Sequence, residues 1–154
     1  ILDARVVRIP GDIDVYLKDI ISTHKVQKIF VEDNAVQSFI VELLKKSCPV
    51  PVVGITTSRN SYASTGIPSL DKEFRDGLWK FPIPENITRH SDDNPWARLY
   101  RELFFYPTYR TDDFVMALWI LREGFRLSGY HPETYSGDEI CYSDFVPLLS
   151  STGW

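Results

Sequence analysis

Apolar and polar positions alternate between two periods along this chain, and the period changes every ten to fifteen residues. Residues 1–9, Ile-Leu-Asp-Ala-Arg-Val-Val-Arg-Ile, read as a strand. Ile13, Tyr16, Leu17, Ile20 and Ile21 then recur at helical spacing, with Gly11 and Asp12 supplying the start of that helix. Gln27 to Glu32 predicts a second, buried strand. Val36, Phe39, Ile40, Leu43 and Leu44 form another helical stripe that ends in Lys45-Lys46, cations suited to a helix C-terminus. Cys48-Pro49-Val50-Pro51 breaks that helix, and Val52 to Thr56 predicts a third strand. Such alternation points to an α/β domain with a parallel portion.

Beyond residue 57 the signals shorten. Residues 57–66 read as a polar loop, and Pro68 fits the first turn of a helix that carries Leu70 and Phe74 and ends near Gly77. Leu78 to Phe81 predicts a short edge strand stopped by Pro82 and Pro84. Asn94-Pro95 opens a helix with Trp96, Leu99, Leu103 and Phe104 expected inward. The loop from Tyr106 to Thr111 delivers Asp112-Asp113 to a last helix that packs Val115, Leu118, Trp119 and Leu121. After Gly129 the pattern is lost, so the domain is drawn over residues 1–127 and an aromatic, acidic tail over 128–154.

With 154 residues and 44% hydrophobic content the chain can bury a core of ordinary size. Its net charge of −4 is unlike that of a domain that holds nucleic acid by overall charge, so DNA or RNA would need a local basic patch, a metal bridge or another domain. Cys48 and Cys141 lack metal-ligand spacing and fit a reducing compartment. No apolar run approaches the roughly 20 residues of a membrane span. His24, His90 and His131 form no zinc pattern, and no nucleotide-binding glycine loop or serine-hydrolase elbow is present. The opening residues, strand-like and without Met, look like the interior of a longer protein.

Two acidic pairs carry the chemistry. Glu32-Asp33 follows a buried strand, and ligands gather at the carboxyl ends of parallel strands. Asp112-Asp113 stands at the front of a helix. Carboxylates from separate elements can converge on two cations about 3.5–4 Å apart, which activate water and stabilise a leaving oxygen. The simpler alternative for each pair is a turn or helix cap, which suits Asp33 and Asn34 in particular. Asp92-Asp93, in a polar loop, reads as a solvated turn. Arg59 and Arg110 lie in loops beside the two acidic pairs and are candidate phosphate contacts.

The segment order resembles the nuclease domain of viral terminase large subunits, of the tailed-phage type. The resemblance runs from residue 1 to about 126. It rests on Val31-Glu32-Asp33-Asn34-x-x-Gln37, Pro51-Val-Val-Gly-Ile-Thr56, Phe74-x-x-Gly77-x-Trp79-x-Phe81-Pro82, Glu102-Leu103-x-x-Tyr106-Pro107 and Asp112-Asp113-x-x-x-Ala117-Leu118. It implies a ribonuclease H-like mixed sheet flanked by helices. It also implies two-metal hydrolysis of concatemeric double-stranded viral DNA with Mg²⁺ or Mn²⁺, during packaging in the host cytoplasm. Glu32 would be the acid of the central strand, and Asp113, with Asp112 beside it, the acid opening the last helix. The partners implied are an N-terminal ATPase motor domain, the portal and the small terminase subunit.

The family's first aspartate lies on a strand ahead of the segment matching Ile1–Ile9, so this chain is expected to lack it and to be weak or inactive alone. Asp3 is a poor substitute, because by order it belongs to a later strand. Where the family often carries a lysine and an arginine, Ser61 to Gly66 is neutral, with only Arg59 nearby. Two other readings share the fold: a non-catalytic interaction module for DNA or protein, and a resolvase- or transposase-type nuclease.

Overall fold

The computed structural model describes residues 4, 13–34, 38–59, 66–81 and 94–129. Within them the chain is mixed α/β, with five α-helices and a two-stranded parallel sheet. In chain order these are α1 (Ile13–His24), β1 (Ile29–Glu32), α2 (Ser38–Ser47), β2 (Val52–Ile55), α3 (Leu70–Arg75), α4 (Pro95–Phe105) and α5 (Asp113–Leu127). Short 3₁₀ turns cover Thr57–Arg59 and Ile67–Ser69. The strand reading of Ile1–Ile9, apart from Ala4, lies outside the described residues, as do Asp3, Asp92-Asp93 and the tail beyond Gly129.

β1 and β2 pair with Ile29 opposite Val52 and Glu32 opposite Ile55. The ladder extends one bond past each end, Ile29 donating to the Pro51 carbonyl and Asp33 to that of Ile55. Because side chains alternate along a strand, the two faces of this sheet carry separate cores. Ile29 and Val52 pack with Leu17, Ile20 and Ile21 from α1, Val26 from the connection that follows it, and Leu44 from α2. Phe30 and Ile55 pack with Leu70, Leu99 and the buried stripe of α5.

α5 is the centre of the second core, burying Phe114, Val115, Leu118, Trp119, Ile120 and Leu121. Gly124 is where it comes nearest to the sheet. A Cβ there would sit 2.4 Å from Cγ of Phe30, a buried ring with nowhere to retreat. Gly124→Ala gains about 1 kcal/mol of helix propensity yet lifts the helix off the strand. Since overpacking a core costs about 1–3 kcal/mol, urea unfolding is expected to show net destabilisation rather than the gain seen in an exposed helix.

Three expected details differ. The buried arc of α2 is Val41 and Leu44 with Ile40 at its edge, whereas Phe39 is 74% exposed and Leu43 is exposed as well. The apolar residues of α2 span more than one face, and the sheet covers only the face centred on 41 and 44. In α4, Phe104 is also outward, at 66% exposure, while Leu99 and Ala97 face the core. Leu78–Phe81 is not a strand. Gly77, with φ of +71°, ends α3, and Leu78 donates to the Glu73 carbonyl. The chain then turns back so that Phe81 stacks on Phe74 at 6.0 Å and Trp79 packs tilted against the same ring at 5.9 Å. Trp79 fixes that return by donating from Nε1 to Glu73 at 2.9 Å. Among the described residues no helix is long and apolar enough to cross a membrane.

Candidate functional site

Glu32 ends β1 with only 7% of its surface exposed. Its Oε1 accepts from Thr57 Oγ1 at 3.0 Å and from Asn34 Nδ2 at 3.4 Å. Both donors come from the turns that leave the carboxyl ends of the two strands. The strand period separates Glu32 from its neighbour: Glu32 shares the face of Phe30 and so looks toward α5. Asp33 falls on the other face, where its carboxylate occupies the space that a Cβ on Gly54 would take, 2.6 Å from Oδ2. The pair is therefore not one cluster, and only Glu32 looks into the layer that contains the last helix.

α5 runs antiparallel to β1. Lys28 Nζ donates to Ser128 Oγ at 3.0 Å, and two residues on, Phe30 underlies Gly124. Two strand residues and four helical residues both advance about 6 Å, so these contacts are in step. On that scale Glu32 is level with Ile120, and Asp113 projects about 10 Å beyond the carboxyl edge of the sheet. Both predicted acidic groups thus lie toward the same end of the sheet, separated along the helix axis.

The front of α5 is held from α4. Asn94 caps α4, accepting from Trp96 N at 2.9 Å with Pro95 in the first turn. About two turns later α4 presents Glu102, of which 1% is exposed. Its Oε2 accepts from the backbone N–H of Phe114 at 2.6 Å and of Val115 at 3.4 Å. Its Oε1 accepts from Thr111 Oγ1 at 2.8 Å and from Arg98 Nε at 3.0 Å. A carboxylate at the positive end of a helix is favourable, and here it satisfies the N–H groups that a helix start leaves unpaired. Asp112 occupies the cap position but its side chain makes no cap bond. The capping reading therefore passes from Asp112 to Glu102. Asp113 forms an ion pair with Arg98 Nη2, and the same guanidinium lies 5.5 Å from the centre of the Phe114 ring.

Asp112 is exposed and acts on Tyr106, whose hydroxyl is held above the ordinary phenol range first by burial and then by the Asp112 charge. The neutral phenol is thus the favoured form in the fold. Its contribution to stability is present in full below the unfolded value of about 10 and is lost as pH rises through the higher folded value. Asp112→Asn is expected to lower the Tyr106 titration midpoint, by less than burial raises it, in ultraviolet difference spectra read against Tyr106→Phe.

The remaining predicted residues are peripheral. Arg59 closes the 3₁₀ turn that Thr57 begins; its side chain lies outside the described residues. Arg110 is exposed, its guanidinium 6.0 Å from the Tyr109 ring centre. The oxygen donors around Glu32 suit a hard divalent cation. Among the described residues, however, no three His, Cys, Asp or Glu side chains gather as a group able to hold a metal ion. Glu32 and the Asp112-Asp113 pair are not assembled into one centre, so the donor set fits such an ion in chemistry but not in number.

Thr57 and Arg98 are site neighbours that the sequence reading passed over, and Glu102 entered it only within the Glu102-Leu103-x-x-Tyr106-Pro107 motif, with no role of its own. Glu102 had a visible signal: with Leu99, Leu103 and Tyr106 it falls at i, i+3, i+4 and i+7, a carboxylate on an inward stripe. Thr57 and Arg98 had none. In comparisons with known protein families, curated proteins and solved structures, nothing matches this chain.

Proposed function

We propose that the chain is a ribonuclease H-like, metal-dependent endonuclease domain that cuts concatemeric double-stranded viral DNA during packaging in the host cytoplasm. The observation that carries this reading is Glu32: a buried carboxylate at the carboxyl end of a parallel strand, facing the helix whose front bears Asp112 and Asp113. Burying a carboxylate is costly without a compensating role, and strand ends of this kind are where α/β domains place ligands. A Mg²⁺ or Mn²⁺ pair, when bound, supplies activated water and neutralises the charge developing on the phosphate. Glu32 would hold it, and Thr57 and Asn34 orient the Glu32 carboxylate through Oε1. Asp113 would join only with its Arg98 ion pair opened, and Asp112 would act from the exposed side. Arg59 and Arg110 would meet phosphates. The motor domain, portal and small terminase subunit are the partners that follow from the resemblance.

The deciding experiment is Mn²⁺-dependent plasmid cleavage by the protein joined to its motor domain, with Glu32→Gln as the variant. Cleavage is expected to vanish while far-UV circular dichroism is unchanged; undiminished cleavage would move the site elsewhere. Thr57→Val, which removes only the orienting bond, is expected to weaken Mn²⁺ binding by about 10–100-fold in calorimetry. The non-catalytic interaction module is the second reading, and the Arg98–Asp113 ion pair favours it, since it commits one of the proposed ligands to another partner. Wild-type protein that binds no Mn²⁺ would favour that reading.

A further inference from the structure

Soluble domains rarely leave several large rings exposed side by side, and where they do the patch has a use. Tyr100, Phe104 and Phe105 of α4 are all exposed. Together with Tyr109 they form a continuous ladder. The Tyr100 and Phe104 rings are 5.9 Å apart and 14° from parallel, and Phe105 and Tyr109 are 6.4 Å apart and 20° from parallel. Between the two pairs, Phe104 meets Phe105 edge-on at 4.9 Å. The spacing is built in. Tyr100 and Phe104 are one helical turn apart, and Tyr109 N donates to the Phe105 carbonyl at 3.1 Å, which carries the same spacing past the end of α4.

Two arginines lie along this ladder. From Pro95 to Thr111 the only acid is Glu102, which is buried beneath α5. Arg101 lies one turn before Phe105, and Arg110 stands over the Tyr109 ring. Flat exposed rings with guanidinium groups beside them complement a chain of flat bases joined by phosphates. A protein partner's apolar surface would match the rings but would not call for the cations. We propose that this face of α4 is a stacking platform for the unpaired bases of a single-stranded nucleic acid. Base faces are alike in DNA and RNA, so the platform itself takes either. It is independent of any chemistry at Glu32, and it needs no metal.

The test uses the full chain in EDTA, so that hydrolysis plays no part. Fluorescence anisotropy is measured with labelled oligo-dT and oligo-rU of about 16 nucleotides and with a duplex of the same length. Both single strands are expected to bind more tightly than the duplex. Phe104→Ala and Tyr100→Ala are each expected to weaken binding about tenfold, the loss of one stacked base, with circular dichroism unchanged because both rings are exposed. Arg110→Gln is expected to lower the salt dependence by about one phosphate contact. A duplex that binds as tightly as the single strands overturns the proposal, and so does binding that Phe104→Ala leaves intact. Phe104-dependent flotation with phosphatidylserine vesicles, or Phe104-dependent self-association in sedimentation without oligonucleotide binding, overturns it in favour of a membrane or a second copy. Failure of Glu32-dependent cleavage leaves these results unaffected, so the two readings fall separately.

Discussion

Glu102→Ala is expected to remove about 3–5 kcal/mol of folding stability, read as a lower urea midpoint with an unchanged slope. The side chain is buried to 1% exposure, and four donors converge on it. Alanine leaves the Phe114 and Val115 N–H groups without their acceptor at a buried helix start, and an unsatisfied buried group costs about 1–3 kcal/mol. Arg98 keeps Asp113 but loses its second carboxylate. The loss is also local, so amide exchange at Phe114 and Val115 is expected to quicken before the sheet is affected. Glu102→Gln separates shape from charge. The amide keeps one acceptor oxygen but turns an NH₂ toward donors, which places it between wild type and alanine. A Glu102→Ala protein as stable as wild type would mean that another group holds the front of α5.

Trp119→Ala is expected to cost a similar amount, about 3–5 kcal/mol, through a different mechanism. Trp119 is among the largest fully buried side chains and sits in the core formed by α5, β1, β2 and α4. Its removal leaves a cavity that neighbours pinned on helices and strands fill only in part. For a domain of marginal stability, typically about 5–15 kcal/mol, this is a large fraction of the total. Trp119→Phe restores most of the volume and is expected to recover more than half of the loss. If Trp119→Ala costs under about 1 kcal/mol, the core is not organised around α5 as described. Together with Gly124→Ala, which adds volume where α5 meets Phe30, the pair tests the same interface from both sides.

Much of the local structure was legible from periodicity alone. The helical stripes of α1 and α5, the strand ending at Glu32 and the Asn94-Pro95 start of α4 follow from short-range rules, and each lies where its pattern predicts. The errors in burial share one cause. Phe39, Leu43 and Phe104 are apolar residues at helical spacing, but a helix can bury only the arc that its neighbour covers. Sequence shows which positions could be inward and not how wide the partner is. At Leu78–Phe81 the aromatic run has the composition of a strand, yet Phe74 offers a ring to pack against, and that contact prevails.

The same division holds for the candidate site. The residues themselves determine that Glu32 closes a strand and that Asp112-Asp113 opens a helix, because strand period and helix starts are written over a few neighbouring positions. Strand alternation also separates Glu32 from Asp33 as soon as one face of β1 is known. Only the tertiary structure decides that Glu102, not Asp112, caps α5, and that Arg98 takes Asp113. The reason is physical. A buried N–H group donates to whichever oxygen the packing brings within reach, and α4 brings one from twelve or thirteen residues away. Long-range pairing of this kind leaves no mark on local spacing.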